Sequence, residues 1–450
     1  MGDKKTEVAC DGRSGRGAVH FALFLVLLCV TLAALNFFCV KRDSSSALPL
    51  LEIMNRDDVD LVFVGSSVVR NAVNPELIDR TTRLCSFDLS IPGLELPGAA
   101  ACIRLAEEHN ALRYAILMTD PEILMKSGKG TGIQRRIWPY LRNPADKAAY
   151  YLDLCRGDGQ WIEHLLVFQH GPVESWKDFR KTWEIEKHPE WYLNRMNEEN
   201  QDIRYEGRGF MRVLTDENPV HRLRTEHHPW HGDRFEGLSA LTRRRILELS
   251  RFCRRRGTQL IVAIPPAHPL TMLSLPAAME ATAETEALCA ENGICFWDFT
   301  RMRPEAWPDL QPYFYDLGHM SGTGADIFSE AFGTFFVRYM NGEDVSGMFY
   351  PSWEEYMAEA PMVNAWMDFT MEPGGQVRIF ADFNGGTGVE PQYRFCVIEN
   401  GAERILRDYV QEAQEILVPA HEVRGKKVRV YIRDAERPED EPVYCTRECP

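Results

Sequence analysis

Several features that identify common classes of protein are missing from this 450-residue sequence. It has no basic block longer than three residues and carries a formal net charge of −15 at pH 7, whereas nucleic-acid binding requires clustered Lys and Arg. Its histidines and cysteines match no recognised zinc spacing. No serine lies in a Gly-X-Ser-X-Gly segment, which argues against the nucleophile elbow of an α/β-hydrolase. We therefore expect no nucleic-acid partner, no metal and no cofactor.

A disulfide framework and N-glycosylation sites are also missing. The 12 cysteines are spread thinly, and only Cys445 and Cys449 lie close enough in the sequence to suggest a disulfide, which the spacing alone leaves open. No Asn-X-Ser/Thr acceptor occurs. What remains is an ordinary globular composition, 45% hydrophobic and 26% charged. A chain of this length can bury a large core and form more than one unit.

One apolar segment is long enough to cross a membrane. Residues 21–40 contain no charge and as a helix would span about 30 Å, the thickness of a hydrocarbon core. A cleaved signal peptide is the alternative, but this run exceeds the usual apolar length of about 7–15 residues and no Ala-X-Ala site follows. We expect an uncleaved single-pass anchor. Basic residues within 1–20 outnumber those just after the span, which predicts a cytoplasmic N-terminus and an extracytoplasmic bulk.

Beyond the anchor, apolar strands alternate with helices, which is typical of a parallel sheet covered by helices. This pattern predicts an α/β domain over residues 50–345. The expected strands are 61–64, 86–91, 114–118, 259–264 and 294–299. Between them, the sequence Asn74-Pro-Glu predicts a helix start in which Asn74 caps the helix and Pro75 occupies its first turn.

Two regions depart from this alternation. Residues 126–236 are rich in Trp, Tyr, Arg and His with little strand signal, so we expect a helical insertion that covers the sheet edge as a cleft or lid. Its group of His227, His228 and His231 matches no zinc pattern, and an aromatic surface patch is the simpler interpretation. Residues 346–450 hold short alternating runs separated by glycine turns, which predict an antiparallel, β-sandwich-like domain.

The candidate catalytic residues lie in two segments far apart in the chain. Gly65 ends the first predicted strand, and the hydroxyls of Ser66 and Ser67 follow at the edge where open α/β sheets place their ligands. In the second segment, the spacing of Asp316 and His319 allows the carboxylate to reach Nδ1 while Nε2 points toward a serine. The alternative is that Asp316 merely caps the following helix and His319 is a surface histidine.

Together these segments resemble the SGNH/GDSL hydrolase superfamily over roughly residues 55–125 and 238–340. The matching motifs are Gly65-Ser66-Ser67, Gly93 after the second strand, and Asp316-Leu-Gly-His319 followed by Ser321-Gly-Thr-Gly324. The serine is the third residue of the family's first block, so the resemblance implies Ser67 as nucleophile in a triad with His319 and Asp316. It also implies a flavodoxin-like sheet and an oxyanion hole formed by the backbone N–H groups of Ser67 and Gly93.

One position departs from the family pattern. The family's third block supplies an Asn to the oxyanion hole, whereas here Thr119 stands at that place. A threonine hydroxyl is shorter and less well directed, which puts full hydrolytic competence in doubt. We further consider Arg70, Asn71, Asp120 and His268 as substrate contacts, because each follows closely on a strand end. For Arg70 and Asn71 the alternative is a position on the helix surface, and for Asp120 a helix cap.

The sequence therefore predicts a membrane-anchored serine esterase or O-acyltransferase. Its similarity is to the cell-envelope branch that includes DltD and the alginate O-acetylation proteins, which implies acyl esters, chiefly acetyl, of an envelope polysaccharide as substrate. That similarity also implies a membrane acyltransferase as a partner. The alternative, favoured by Thr119, is a weakly active or non-catalytic glycan-binding or assembly protein. Labelling of an activated serine distinguishes the two.

Overall fold

A computed structural model describes residues 13–38, 46–125, 134–166, 175–177, 180, 184, 197, 202–215, 234–411 and 413–450. The strands are β1 Leu61–Val64, β2 Ser86–Asp88, β3 Tyr114–Met118, β4 Ile203–Gly207, β5 Phe210–Val213, β6 Gln259–Ile264, β7 Cys295–Asp298, β8 Asn364–Glu372, β9 Gln376–Asn384, β10 Pro391–Glu399, β11 Ala402–Gln411, β12 Glu415–Pro419, β13 Lys427–Asp434 and β14 Val443–Glu448. The α-helices are α1 Arg13–Phe38, α2 Ala47–Ile53, α3 Ser67–Ala72, α4 Pro75–Thr82, α5 Leu96–His109, α6 Pro121–Met125, α7 Pro144–Asp158, α8 Trp161–Leu165, α9 Ala240–Arg256, α10 Pro269–Leu273, α11 Pro276–Glu291, α12 Gly322–Met340, α13 Trp353–Glu359 and α14 Ala420–Val423.

The α/β part is built on a five-stranded sheet in the order β2-β1-β3-β6-β7, with every neighbouring pair parallel. Its central strands are apolar on both faces because helices cover both sides. In β1, Val62 and Val64 face a core shared with α5 and α9, while Leu61 and Phe63 face a second core shared with α4 and α12. The predicted parallel α/β architecture is confirmed.

The predicted helix start after β1 is also confirmed. Asn74 accepts a hydrogen bond from the Glu76 N–H at 3.2 Å, and Pro75 is the first residue of α4. Two predicted strands are shorter than expected, since β2 ends at Asp88 and β7 at Asp298.

The described part of the 126–236 insertion contains a β-hairpin, β4–β5, as well as α7 and α8. The weak strand signal of this segment did not predict the hairpin. The hairpin contacts β2, one of the two edge strands of the parallel sheet, where the Asp88 N–H donates to the Arg208 carbonyl at 2.8 Å. Close approach requires glycine at the next position, since a Cβ on Gly209 would lie 1.5 Å from the Asp88 carbonyl oxygen.

The C-terminal part contains two antiparallel sheets, in the orders β11-β10-β13-β14 and β12-β9-β8. They enclose one apolar core of alternating residues such as Val377, Phe395 and Val430. The Asn400-Gly401 turn joins β10 to β11 with φ of 52° and 81°, as a tight hairpin requires. Cys445 and Cys449 are buried free thiols, so the disulfide that the spacing left open is not formed.

Helix α1 includes a 20-residue stretch, Gly17–Asn36, that is long and apolar enough to cross a membrane. Large apolar side chains along it are exposed, among them Phe21, Leu27 and Val30. An anchor and a signal sequence share these properties. The basic residues that predict its orientation lie largely outside the described residues.

Candidate active site

The edge formed by the carboxyl ends of β1 and β3 carries the candidate nucleophile. A sharp turn follows β1 at Gly65, where a Cβ would lie 2.5 Å from the Met118 carbonyl oxygen on β3, so only glycine fits. Ser66 then caps α3 by accepting a hydrogen bond from the Val68 N–H at 3.2 Å. Ser67 is therefore the first residue of α3 and stands directly above the sheet edge.

The segment that carries Asp316 and His319 is a tight turn, in which backbone N–H groups donate hydrogen bonds to the Asp316 side chain. Asp316 Oδ1 accepts hydrogen bonds from the N–H groups of Gly318 at 2.8 Å and His319 at 2.7 Å. The following helix, α12, is capped by Ser321, whose hydroxyl accepts from the Gly324 N–H at 3.3 Å. The alternative in which Asp316 serves as the cap of that helix is therefore wrong.

The fold brings these two segments together. His319 Nε2 lies 2.7 Å from Ser67 Oγ, although the two residues are 252 positions apart in the chain. On its other side, His319 Nδ1 lies 2.8 Å from Asp316 Oδ2. When Nδ1–H donates to the carboxylate, Nε2 is left as the acceptor for the serine proton. The three side chains thus form a continuous hydrogen-bonded chain.

The groups that surround Asp316 favour its ionised form. Partial burial raises the pKa of this carboxyl, but the hydrogen bond and charge of His319, together with the two backbone N–H donors, outweigh burial and bring the pKa below its usual value. An ionised carboxylate at this place holds the imidazole tautomer and stabilises the imidazolium that forms when the ring takes a proton.

The hydrogen-bonded side chains of Ser67, His319 and Asp316 line a cavity of about 420 Å³. Its lining includes apolar side chains such as Val68, Ile123 and Leu275, together with Ser67 and His319. The described lining residues include four carboxyl side chains and no Lys or Arg; the carboxyl residues are Glu95, Asp120, Glu122 and Asp316. An acyl group of a few carbons fits this volume beside the serine.

His268 packs against the turn of Asp316 and His319 and does not line the cavity, which corrects its predicted role as a substrate contact. Its side chain is only 1% exposed and packs edge-on against Phe314. Its backbone N–H donates to the Leu317 carbonyl at 3.2 Å, and the Thr271 hydroxyl donates to the same carbonyl at 2.6 Å. These two bonds fix the turn between Asp316 and His319. Sequence reasoning missed Thr271, which lies in the short helix after β6.

Asn71 and Arg70 also lie away from the cavity, so neither is positioned to contact substrate as predicted. Asn71 is buried, and its amide donates to the Met211 carbonyl at 2.7 Å, which attaches the β4–β5 hairpin to α3. Arg70 is buried too, and its Nε and Nη1 have no hydrogen-bond partner among the described residues. Burial lowers the pKa of Arg70 to about 10 against the opposing effect of the Asp88 charge.

Asp88, at the end of β2, is the acidic counterpart of Arg70. Its side chain is fully buried, and burial raises its pKa to about 7. Hydrogen bonds from Ser90 and the positive charge of Arg70 offset only part of this effect. Arg70 and Asp88 therefore form a buried polar pair in the core, and no sequence motif points to it.

The predicted oxyanion residues are placed differently from one another. Gly93 lines the cavity and adopts a φ of 66°. Its loop is fixed to the turn after β1, because the Ile91 N–H donates to the Gly65 carbonyl at 3.0 Å. Thr119 is 2% exposed and is not among the lining residues, and its hydroxyl has no hydrogen-bond partner among the described residues. Thr119 is therefore not placed to donate a hydrogen bond to an oxyanion in the cavity, which corrects its predicted role.

Asp120 does line the cavity, and its side chain is hydrogen-bonded to the turn after β1. Its Oδ2 accepts a hydrogen bond from Ser66 Oγ at 2.5 Å. Ser66 thus links the ends of β1 and β3 while it caps α3. A cap at this position was readable from the serine that precedes the helix, but its bond to Asp120 was not.

No group of three or more His, Cys, Asp and Glu side chains that would hold a metal ion occurs among the described residues. The histidines at positions 227, 228 and 231 lie outside the described residues.

Comparison with known proteins gives little further information. No protein-family model matches the sequence, and no curated protein matches it. Among solved structures, one from Bacteroides fragilis NCTC 9343, assigned provisionally as an acylhydrolase, is 9% identical, with a TM-score of 0.30 over 64% of this chain and 89% of that chain. The endo-β-1,4-mannanase of Thermotoga petrophila is 10% identical, with a TM-score of 0.17 over 90% of this chain and 95% of that chain. At such low TM-scores, neither likeness carries an argument about fold or function.

Proposed function

We propose that this protein is a serine-dependent enzyme of the SGNH type that cleaves or transfers an acyl ester. The observation that carries the proposal is the hydrogen-bonded chain of Ser67, His319 and Asp316 at the mouth of a cavity. The order of the strands across the parallel sheet supports the proposed family assignment. When the five strands are numbered in chain order, they lie across the sheet as 2-1-3-4-5, which is the order of flavodoxin-like folds. The site lies at the carboxyl ends of β1 and β3, the adjacent strands at which the strand order reverses. Folds of this kind bind ligands at such a switch point.

In the proposed reaction, Ser67 Oγ gives its proton to His319 Nε2 and attacks the acyl carbon of the ester. The negative charge that develops on the carbonyl oxygen is met by backbone N–H donors, proposed to be those of Ser67 and Gly93. When the tetrahedral intermediate collapses, the C–O bond of the ester breaks and the leaving alcohol takes the proton from His319. The acyl group then remains on Ser67 as an ester.

The second half of the reaction decides between hydrolysis and transfer. His319 takes a proton from either water or a sugar hydroxyl, whose oxygen attacks the acyl-serine. When this second intermediate collapses, the bond between the acyl carbon and Ser67 Oγ breaks, and His319 returns the proton to Ser67 Oγ. We propose an acetylated polysaccharide of the cell envelope as the substrate and α1 as a single-pass anchor that keeps the rest of the chain outside the cytoplasm. A membrane acyltransferase is the proposed partner if the acyl group is transferred. The two sheets of the C-terminal part are proposed to pack as a small sandwich that binds glycan.

The proposal is tested with a fluorophosphonate probe and with hydrolysis of a small aryl acetate. The wild-type protein is expected to be labelled, and Ser67→Ala is expected to lose labelling and at least about a thousandfold in kcat/KM, because the nucleophile is gone. Ser352→Ala is a matched control, since Ser352 caps helix α13 and is not among the residues that line the cavity. Unchanged activity of Ser67→Ala contradicts the proposed nucleophile.

A second candidate function is a binding or assembly protein with a weakly active site. The position of Thr119 favours it, because its buried hydroxyl is not available to the cavity where the SGNH pattern has an Asn side chain. A protein of this kind lacks an activated serine, so the wild-type protein would not react with the fluorophosphonate probe, whereas an enzyme would.

A further inference from the structure

Helix α8 carries an exposed apolar face that a compact domain would normally bury. Trp161, Ile162 and Leu165 are 50%, 69% and 41% exposed, respectively. Their spacing of one, three and four positions places them on one side of the helix. The opposite side is anchored to the protein, because His164 is 1% exposed and its Nε2 lies 2.9 Å from the Asp158 carboxylate. The apolar face of α8 is therefore held outward.

This face lies beside the end of the apolar helix α1, to which α8 is hydrogen-bonded. The side chain of Asn36 donates to the Leu165 carbonyl at 2.9 Å, and Asn36 is the last residue of the 20-residue stretch that is long enough to cross a membrane. If that stretch spans a bilayer, its end lies at the boundary between hydrocarbon and headgroups. The hydrogen bond then places α8 at the same boundary.

The residues behind α8 have the composition expected there. Aromatic rings form a chain from Trp138 to Tyr151 and on to Trp161, with centroid distances of 5.8 Å and 6.1 Å. Tyr151 also donates its hydroxyl to the Trp161 carbonyl at 2.7 Å, and Lys147 Nζ lies 5.3 Å from the Trp138 ring. Trp and Tyr are enriched at membrane interfaces, and Lys attracts anionic headgroups.

We propose that the outward face of α8, formed by Trp161, Ile162 and Leu165, is immersed in the interfacial layer of the bilayer in which α1 is anchored. The inference rests on the proposed anchoring. Contact at both α1 and α8 restricts rotation of the α/β part about the anchor, so the cavity is held at a fixed orientation to the membrane. A single helix joined by a linker would leave that orientation free.

Photo-crosslinking of the full chain in lipid nanodiscs of phosphatidylethanolamine and phosphatidylglycerol tests this inference. The photoreactive residue p-benzoylphenylalanine replaces Ile162, or Leu27 within α1 as a test of anchoring. It replaces Leu417, which is 51% exposed in β12, as a control for an exposed apolar position elsewhere. After irradiation, mass spectrometry measures addition of one lipid molecule to the labelled peptide.

We expect lipid adducts at positions 162 and 27 and none above background at position 417. Lipid adducts at 27 with none at 162 would overturn the inference about α8 and leave the anchor in place. Protein adducts in place of lipid at 162 would overturn it in favour of a second chain as the occupant. Absence of lipid adducts at both 27 and 162 would overturn the proposed anchoring together with the α8 surface.

Discussion

Two polar groups involve residues of the short helix α3, one at the cavity and one in the core, and they differ in how their polar atoms are satisfied. On the cavity side, Ser67 joins His319 and Asp316 in a complete hydrogen-bonded chain. On the core side, Arg70 and Asp88 are buried, and two guanidinium nitrogens of Arg70 have no partner among the described residues. Ser67 and Arg70 are only three positions apart, yet only Ser67 reaches the cavity.

The difference shows that nearness to a nucleophile in the sequence does not bring a side chain to the substrate. On the cavity side, Asp316 gains partners that favour its charged form, so its pKa falls. On the core side burial dominates, and the pKa of Asp88 rises. Aspartate is thus favoured in its ionised form at position 316, where the proposed catalytic role requires a carboxylate. At position 88, burial makes ionisation of the same residue type unfavourable.

The largest expected effect is on the cavity side. Asp316→Asn is expected to lower kcat/KM for an aryl acetate by about 10⁴, because an amide no longer holds the imidazole tautomer. Asp309→Asn is the matched control, since the Asp309 carboxylate accepts a hydrogen bond from the Gln311 N–H at 2.9 Å and does not line the cavity. Activity of Asp316→Asn within tenfold of wild type would remove Asp316 from the proposed mechanism.

The next effect is on stability and belongs to the core side. The pKa of Asp88 rises from 3.8 to about 7 on folding, so its protonated form stabilises the protein below pH about 4 and that stabilisation is lost as the pH rises through about 7. Asp88→Asn cannot ionise. Its free energy of unfolding relative to wild type is expected to rise by up to about 4 kcal/mol between pH 4 and pH 8.

Chemical unfolding of both proteins in the same detergent at the two pH values measures this difference. The exposed Asp57→Asn controls for the loss of a surface carboxylate. An identical pH dependence for wild type and Asp88→Asn would show that Asp88 does not titrate as a buried acid.

The smallest expected effect concerns Thr119, which the sequence placed in the oxyanion hole and the structure buries. Thr119→Val is expected to change kcat/KM by less than about twofold, whereas loss of a true oxyanion donor costs about 10²–10³. Thr271→Val is the matched comparison, because its hydroxyl holds the Leu317 carbonyl, and we expect a loss of about tenfold. A hundredfold loss in Thr119→Val would place its hydroxyl in the reaction.

Local pattern was sufficient for much of the α/β part. Unbroken apolar runs predicted β1, β3 and β6, and Asn74-Pro75 predicted the start of α4, because burial and capping are determined by residues close in the chain. The β4–β5 hairpin escaped prediction, since its strands are short and depend on packing against β2. In the candidate site, the spacing of Asp316 and His319 was informative for the same local reason.

By itself, the sequence determined the parallel α/β architecture, the apolar helix near the N-terminus and the turn in which a carboxylate and an imidazole meet. Each follows from contacts within a few positions of the chain. Tertiary structure alone decided that His319 reaches Ser67, that Arg70, Asn71, Thr119 and His268 lie away from the cavity, and that α8 meets the end of α1. Those outcomes depend on which faces of distant elements pack together, and no local pattern of residues specifies that.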